Sequence, residues 1–427
     1  MQFTKPQKII LGIVGFVILF FLLVLVGIIP GLRKNGTSAT LKIWGVGDSS
    51  DVWAASIQSY SASHPGVAVT YTQIDQSNYE STLVNALAAG NGPDIFMFNN
   101  AWLPKNGDKI APAPVSLMST STFAGIFPQV ASQDFISNGY IYAMPLSIDT
   151  LALIYNKGIF NQSGVAVPPK TWAQFESVIR ETRMETSGAI SRPAVALGGT
   201  LTSMANATDI LNLLLLQEGT EMISPESNQA TFSSTAGQTA LAFYTQFATP
   251  GSAYYTWKDS LGSALNSFAN GKTAMFVGYA SQIPQIKAEN PYINFGVSTM
   301  PQFNLSNQIN YPNYWGLAVS KQSQYQAQAW DFINFVTTDP TTANNYATAS
   351  GRPPALRSLI AQYESDPILG PYASQALTAE DWVEPDADSV STIFNNMIES
   401  VLNKTSSVSQ ALQTAEFSVN NIGSSQY

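Results

Sequence analysis

Between Leu41 and Phe98 the hydrophobic period of this chain changes from strand to helix and back twice, which leaves few folds open to it. LKIWG reads as a short strand, and Trp53, Ile57 and Tyr60 then recur on one face of a helix that His64-Pro65-Gly66 stops. VAVTY is a second strand, Tyr79, Leu83 and Leu87 mark a second helix closed by Gly90, and PDIFMF is a third strand. A β-α-β-α-β order of this kind builds a parallel sheet with right-handed crossovers. The alternation continues downstream. AMPLSIDTLALIYNK carries an apolar strand, Thr171 and Gln174 read as a capping box opening a helix, AVALGG reads as a strand and LNLLLL as a buried helix. Leu261, Leu265 and Phe268 predict a helix before the strand TAMFV, WGLAVS is a further strand, and helical spacing returns from Tyr325 to Val336 and from Ile393 to Val419.

Ahead of this pattern lies a run from Ile9 to Ile29 with no charge, preceded by Lys5 and Lys8 and followed by Arg33 and Lys34. At ~1.5 Å per residue such a run crosses the ~30 Å hydrocarbon core, whereas the apolar part of a cleavable signal is about 7–15 residues. The expectation is a cytoplasmic N-terminus at 1–8, a transmembrane signal anchor at 9–30 and a flexible linker at 31–40. No second long apolar run follows, so the remainder is expected as one body on the far side of the membrane.

Composition narrows the function. The chain has no Cys, which excludes disulfides, thiolate metal sites and the lipid-bearing Cys of many tethered receptors. Setting aside the four cations that flank the run leaves 15 cations against 28 acids, a net charge of −13, the opposite of a nucleic-acid footprint. The single His precedes a Pro-Gly stop, which excludes a Ser-His-Asp triad or an HExxH zinc site. No phosphate-binding GxxxxGK[ST] pattern is present, and no metal or cofactor is expected. Two alternatives stay open: a carboxylate-dependent glycoside hydrolase, which needs only Asp and Glu, and a membrane-anchored adhesive or structural surface protein, which the tether, the low charge and the Asn/Ser/Thr richness would suit; the sequons at Asn35, Asn161, Asn206, Asn304 and Asn403 are of the number an Asn-rich chain carries by chance.

Several segments, in order, resemble the extracellular solute-binding proteins of ABC importers, of the maltose/sugar-binding type. Gly90, Gly92, Pro93, Asp94 and Ile95 are similar to the family's Gly-x-Gly-Pro-Asp-Ile motif, PPKTWAQF to its Pro-x-Thr-Trp helix start, and Phe268, Gly271, Lys272, Ala274 and Met275 to its Phe-x-x-Gly-Lys-x-Ala-Met motif. AQAWDFINFVTT and ASGRPPAL resemble its return to the first lobe. The resemblance implies an α/β, two-lobed, periplasmic-binding-protein-like fold of type II, here with an N-terminal transmembrane helix. It implies an N-lobe from 41–148 and 318–372, a C-lobe from 149–317 and 373–427, a carbohydrate or similar polar solute, and ABC permease subunits as partners. A third crossing is expected around Pro367 to Ala373.

A polyhydroxylated solute needs flat aromatic faces and paired donors and acceptors at the C-terminal ends of strands. The candidates are Trp44 and Asp48 after the first strand, Asn99, Asn100 and Trp102 after the third, Asp149 at the first crossing, Tyr279, Tyr314, Trp315 and Arg352. Trp257 and Tyr254-Tyr255 are further second-lobe candidates. Most have a structural reading beside the functional one: Trp44 as core, Asp48 as a helix cap, Asn99 in an Asx turn, Asp149 in a hinge hydrogen bond to backbone, Tyr279, Tyr314 and Trp315 as core, and Arg352 tying down its turn; Asn100 and Trp102 have no obvious structural task. With two acids and one cation among them, the candidates predict a neutral polyol rather than an anion.

Overall fold

A computed structural model describes Val14, Gly15, Val17, Leu19, Phe20, 39–186 and 189–422. The anchor expected at 9–30 and the linker at 31–40 fall almost wholly outside those residues; among the described residues no helix is long and apolar enough to cross a membrane.

Eight strands organise the body: β1 (Ala39–Val46), β2 (Val67–Ile74), β3 (Ile95–Asn99), β4 (Met144–Pro145), β5 (Ala152–Asn156), β6 (Met275–Gly278), β7 (Phe295–Ser298) and β8 (Trp315–Val319). The first sheet has the order β2-β1-β3-β8-β4, with β1 parallel to both β2 and β3 as the sequence pattern predicts. WGLAVS enters this sheet antiparallel, as β8, with Trp315 opposite Asn99 and Val319 opposite Ile95. The second sheet is β6-β5-β7, antiparallel throughout.

Ten helices matter here: α1 (Ser50–Ser63), α2 (Tyr79–Ala88), α3 (Gln129–Phe135), α4 (Trp172–Thr182), α5 (Ala207–Gln217), α6 (Thr235–Thr245), α7 (Gln326–Thr338), α8 (Pro340–Ser350), α9 (Ala387–Leu402) and α10 (Val408–Asn420). Helix α1 buries Trp53 and Tyr60 against the first sheet, and α5 is buried almost all round, as its Leu run requires. At α4, Thr171 Oγ1 accepts from the Gln174 N–H, but Gln174 reaches back to the N–H of Lys170, one residue before the partner a capping box uses. AVALGG is not a strand. Ala194 donates its N–H to Thr256 Oγ1 and only Val195 bridges to Met275, so side-chain bonding takes the place of a ladder. The Leu261 helix is also shorter than its spacing suggests, running Ala264–Ala269 with Leu261 in a preceding 3-10 turn.

Two apolar cores result. One gathers Leu41, Ile43, Trp53, Phe96, Phe98, Leu317, Trp330 and Phe332; the other gathers Leu153, Trp172, Leu211, Phe247, Phe268, Met275, Phe394 and Leu412. Three extended segments join them side by side. Leu151 donates its N–H to Tyr311 O and Asn313 to Asp149 O, while Asn310 donates to Thr378 O and Glu380 to Asn310 O. Position 318 lies inside β8 of the first sheet, and 367–373 overlaps the helix Leu369–Gln375.

Candidate ligand cleft between the two cores

A cavity of about 820 Å³ opens between the two cores. Its position follows from topology: β1, β2 and β3 are parallel, so the loops after Val46, Ile74 and Asn99 gather at one edge, and antiparallel β8 brings its first residues there too. Asn99, Asn100, Trp102, Asp149, Tyr279, Tyr314, Trp315 and Arg352 all line it.

The first-core wall is aromatic. Trp102 stacks on Tyr79 with centroids 5.9 Å apart and meets Trp315 edge to face at 5.2 Å, while Tyr79 and Trp315 are 5.7 Å apart. Tyr79 was legible in sequence as helix core and is that as well: it is buried, and its hydroxyl donates to Met97 O at 2.9 Å. The indole rings remain partly open to the cavity. Asn99 makes the expected Asx turn, accepting the Ala101 N–H, and its Nδ2 donates to Asn313 Oδ1 at 3.1 Å. Asn100 spends its amide on the frame, donating to Asp381 and accepting from the Tyr314 N–H. Tyr314 is buried and donates its hydroxyl to Asp134.

The second-core wall is polar. Tyr279 donates to Asp209 Oδ2 at 2.7 Å, Tyr311 to Glu384 Oε1 at 3.0 Å, and Asn206 to Gln282 Oε1 at 2.8 Å. Asp149 accepts the N–H groups of Ala280 and Ser281, both at 2.9 Å, and so pins the turn at the mouth of the second wall. Across the rim, Lys105 Nζ lies 3.2 Å from Glu80 on the first wall and 2.9 Å from Asp386, the N-cap of α9 on the second.

Trp44 and Asp48 are not among the lining residues. Strand β1 runs two residues past Trp44, so Val46 and Gly47 reach the cavity instead and Trp44 packs against the first core. Asp48 is buried behind the wall, 2.9 Å from Arg352 and accepting from Tyr346 at 2.8 Å; it holds Arg352 rather than capping α1. Gly47, at φ +76°, is required there: a Cβ would stand 2.9 Å from the Arg352 guanidinium. Trp257 is buried in the second core with its N–H on Ser203, and Tyr254 and Tyr255 do not line the cavity. Asn206 is buried, which removes that sequon from the surface. Glu80, Asp209, Asn313, Glu384 and Asp388 line the cavity without having been singled out; the acid run from Asp381 to Asp388 ahead of α9 was the available signal.

Burial sets the electrostatics of the second wall. It pushes the carboxyls of Asp149 and Asp209 up to about 6 and that of Glu384 up to about 8, although backbone and Arg352 contacts pull Asp149 down and tyrosine hydrogen bonds pull the other two down. Acids with raised pKa favour the protonated folded state, so their contribution to stability is full below the unfolded values and is lost as pH rises through about 6 and then about 8. The unliganded protein is therefore expected to melt several degrees higher at about pH 5.5 than at about pH 8.5. Glu384→Gln should flatten the upper part of that profile; an unchanged slope between about pH 6.5 and 8.5 would refute the assignment.

The profile of the family "Bacterial extracellular solute-binding protein" matches residues 55–371. The chain belongs to that family. The curated relatives of this solute-binding protein are distant. The maltotriose-binding protein of Pyrococcus abyssi is 23% identical over 327 residues, 74% of this chain and 67% of the relative. The multiple sugar-binding protein of Streptococcus mutans is 23% identical over 259 residues, 59% of this chain and 60% of the relative. The matched stretch thus spans about two thirds of such relatives or less. Among solved structures, the sugar-binding protein MalE of Xanthomonas citri superposes with a TM-score of 0.77 at 20% identity, covering 91% of this chain and 98% of that one. The two-lobed α/β fold of solute-binding proteins is therefore the fold of this chain, and the relatives it matches are binding proteins.

Proposed function

We propose that this protein is the extracytoplasmic substrate-binding component of an ABC importer, capturing a carbohydrate between its lobes and delivering it to the permease without chemical change. The observation that carries the reading is the cleft itself: about 820 Å³, with an aromatic wall on one core and a hydrogen-bonding wall on the other. Pyranose rings offer C–H faces to Trp102 and Trp315 and hydroxyls to the amides and carboxylates opposite. The relatives named for maltotriose and multiple sugars support the choice of solute.

In this reading the lobes are 39–149 with 313–379 and 150–312 with 380–422, joined by the three paired segments. A type II arrangement accounts for β8, which returns to the first sheet antiparallel after the second crossing. The ligand stabilises the closed arrangement by touching both walls, and Lys105 helps to hold it from the rim. The run at 9–30 serves as a signal anchor in place of the absent lipidation Cys, keeping the receptor near its transporter.

The test is thermal unfolding of the full-length protein in detergent against mono- and oligosaccharides, polyols, amino acids and short peptides. A ligand at one hundred times its Kd adds about 2.7 kcal/mol and raises Tm visibly. A rise confined to carbohydrates supports the reading; a cooperative melt that no sugar moves refutes it.

A further inference from the structure

The charges of the cleft do not balance. Five carboxylates line it, and Arg352 is the one cation among its lining residues. Arg352 is already paired with Asp48, Glu80 receives Lys105, and Asp149 places its two oxygens on backbone N–H groups. Asp388 also lies within the field of Lys105. That leaves Asp209 and Glu384 on the second wall. Each accepts one phenolic hydrogen bond, and among the described residues neither is in an ion pair. Asp209 disfavours the ionisation of Glu384, and Asp381 and Asp386 add to the effect. Ionising Glu384 beside Asp209 in a poorly hydrated wall is costly, so Glu384 keeps its proton in the empty cleft; an arriving cation offsets that cost and a hydroxyl does not.

A separate observation marks the same cavity as built for a hydrogen-bonding ligand. Ser147 lines it, is 1% exposed, and its Oγ has no hydrogen-bond partner in the protein. A buried hydroxyl without a partner is costly unless something else supplies one. Among the described residues no group of three or more His, Cys, Asp or Glu is placed to hold a metal ion. The indoles opposite suit the same ligand, since their faces attract both sugar C–H groups and nearby ammonium.

We propose that the solute is an aminated sugar, a polyol bearing a protonated primary amine, whose ammonium sits between Asp209 and Glu384 while its ring lies on the Trp102 and Trp315 wall. This rests on the carbohydrate reading above and replaces the neutral polyol that the sequence candidates predict.

Calorimetric titration of the full-length protein in detergent tests it with β-1,4-linked disaccharides of similar shape: chitobiose with free amines, its N,N′-diacetyl form, and cellobiose, with maltose as a further neutral sugar. The free-amine sugar is expected to bind at least about tenfold tighter than the others. In Asp209→Asn and in Glu384→Gln, each checked for a cooperative melt, that ratio should fall towards one. Neutral or acetylated sugars binding as tightly as the amine overturn the inference and leave carbohydrate capture standing. Binding of none of the four overturns the inference, and the thermal panel then decides separately whether carbohydrate capture falls with it.

Discussion

Trp102→Ala is expected to weaken binding of the cleft's sugar by at least about thirtyfold, which is about 2 kcal/mol, with little change in the unliganded fold. Trp102 sits where three aromatic rings meet: 5.9 Å from Tyr79, 5.2 Å from Trp315 and 5.8 Å from Phe98. Its neighbours fix the ring, so the ligand meets a platform whose orientation has already been paid for in folding. Removing it takes away the stacking face and frees the Trp315 edge. Trp102→Phe keeps a ring at the same place and should retain most of the affinity. Titration of parent and both variants with the tightest sugar of the thermal panel checks this. Parent-like binding by the Ala variant would show that the ligand lies elsewhere in the cleft.

The largest expected loss of stability comes from Arg352→Leu. Asp48 is 3% exposed and its carboxylate lies 2.9 Å from the guanidinium, so the variant leaves a buried charge without its partner. Breaking such a pair from one side costs about 3–5 kcal/mol, on the order of 10 °C in Tm for a lobe of this size. Burial raises the Asp48 carboxyl even with Arg352 present, and its ordinary acidity is otherwise supported by Arg352 and by the Tyr346 hydroxyl. Without Arg352 that carboxyl rises further. The penalty then vanishes below the unfolded pKa and sets in as pH rises, so the variant should recover towards the parent near about pH 4. Asp48→Asn added to Arg352→Leu should restore much of the loss at neutral pH, because both charges are then gone. Thermal melts across pH measure all three proteins, and a single variant that melts with the parent would show that the pair holds nothing.

The candidate site was legible where it depends on strand ends. The residues after PDIFMF, Asn99, Asn100 and Trp102, line the cavity because a parallel strand delivers the loop at its C-terminal end to the sheet edge. Trp44 was misplaced by the same rule, since the strand end lies two residues later than its apolar run suggests. Asp209 and Glu384 carried no local signature. One opens a helix that reads as buried throughout, and the other sits in an acidic loop that resembles a solvated surface.

The alternation of hydrophobic periods by itself determined an α/β body, its parallel β1-β2-β3 core and the apolar faces of α1, α2 and α5, because these rest on contacts between neighbours in the chain. Only the tertiary structure decided that β8 returns antiparallel beside β3, that Asp48 serves Arg352, and that acids 175 positions apart share one wall. Local sequence fixes which face of an element is buried; which faces meet across a cleft depends on chain crossings whose geometry no short segment encodes.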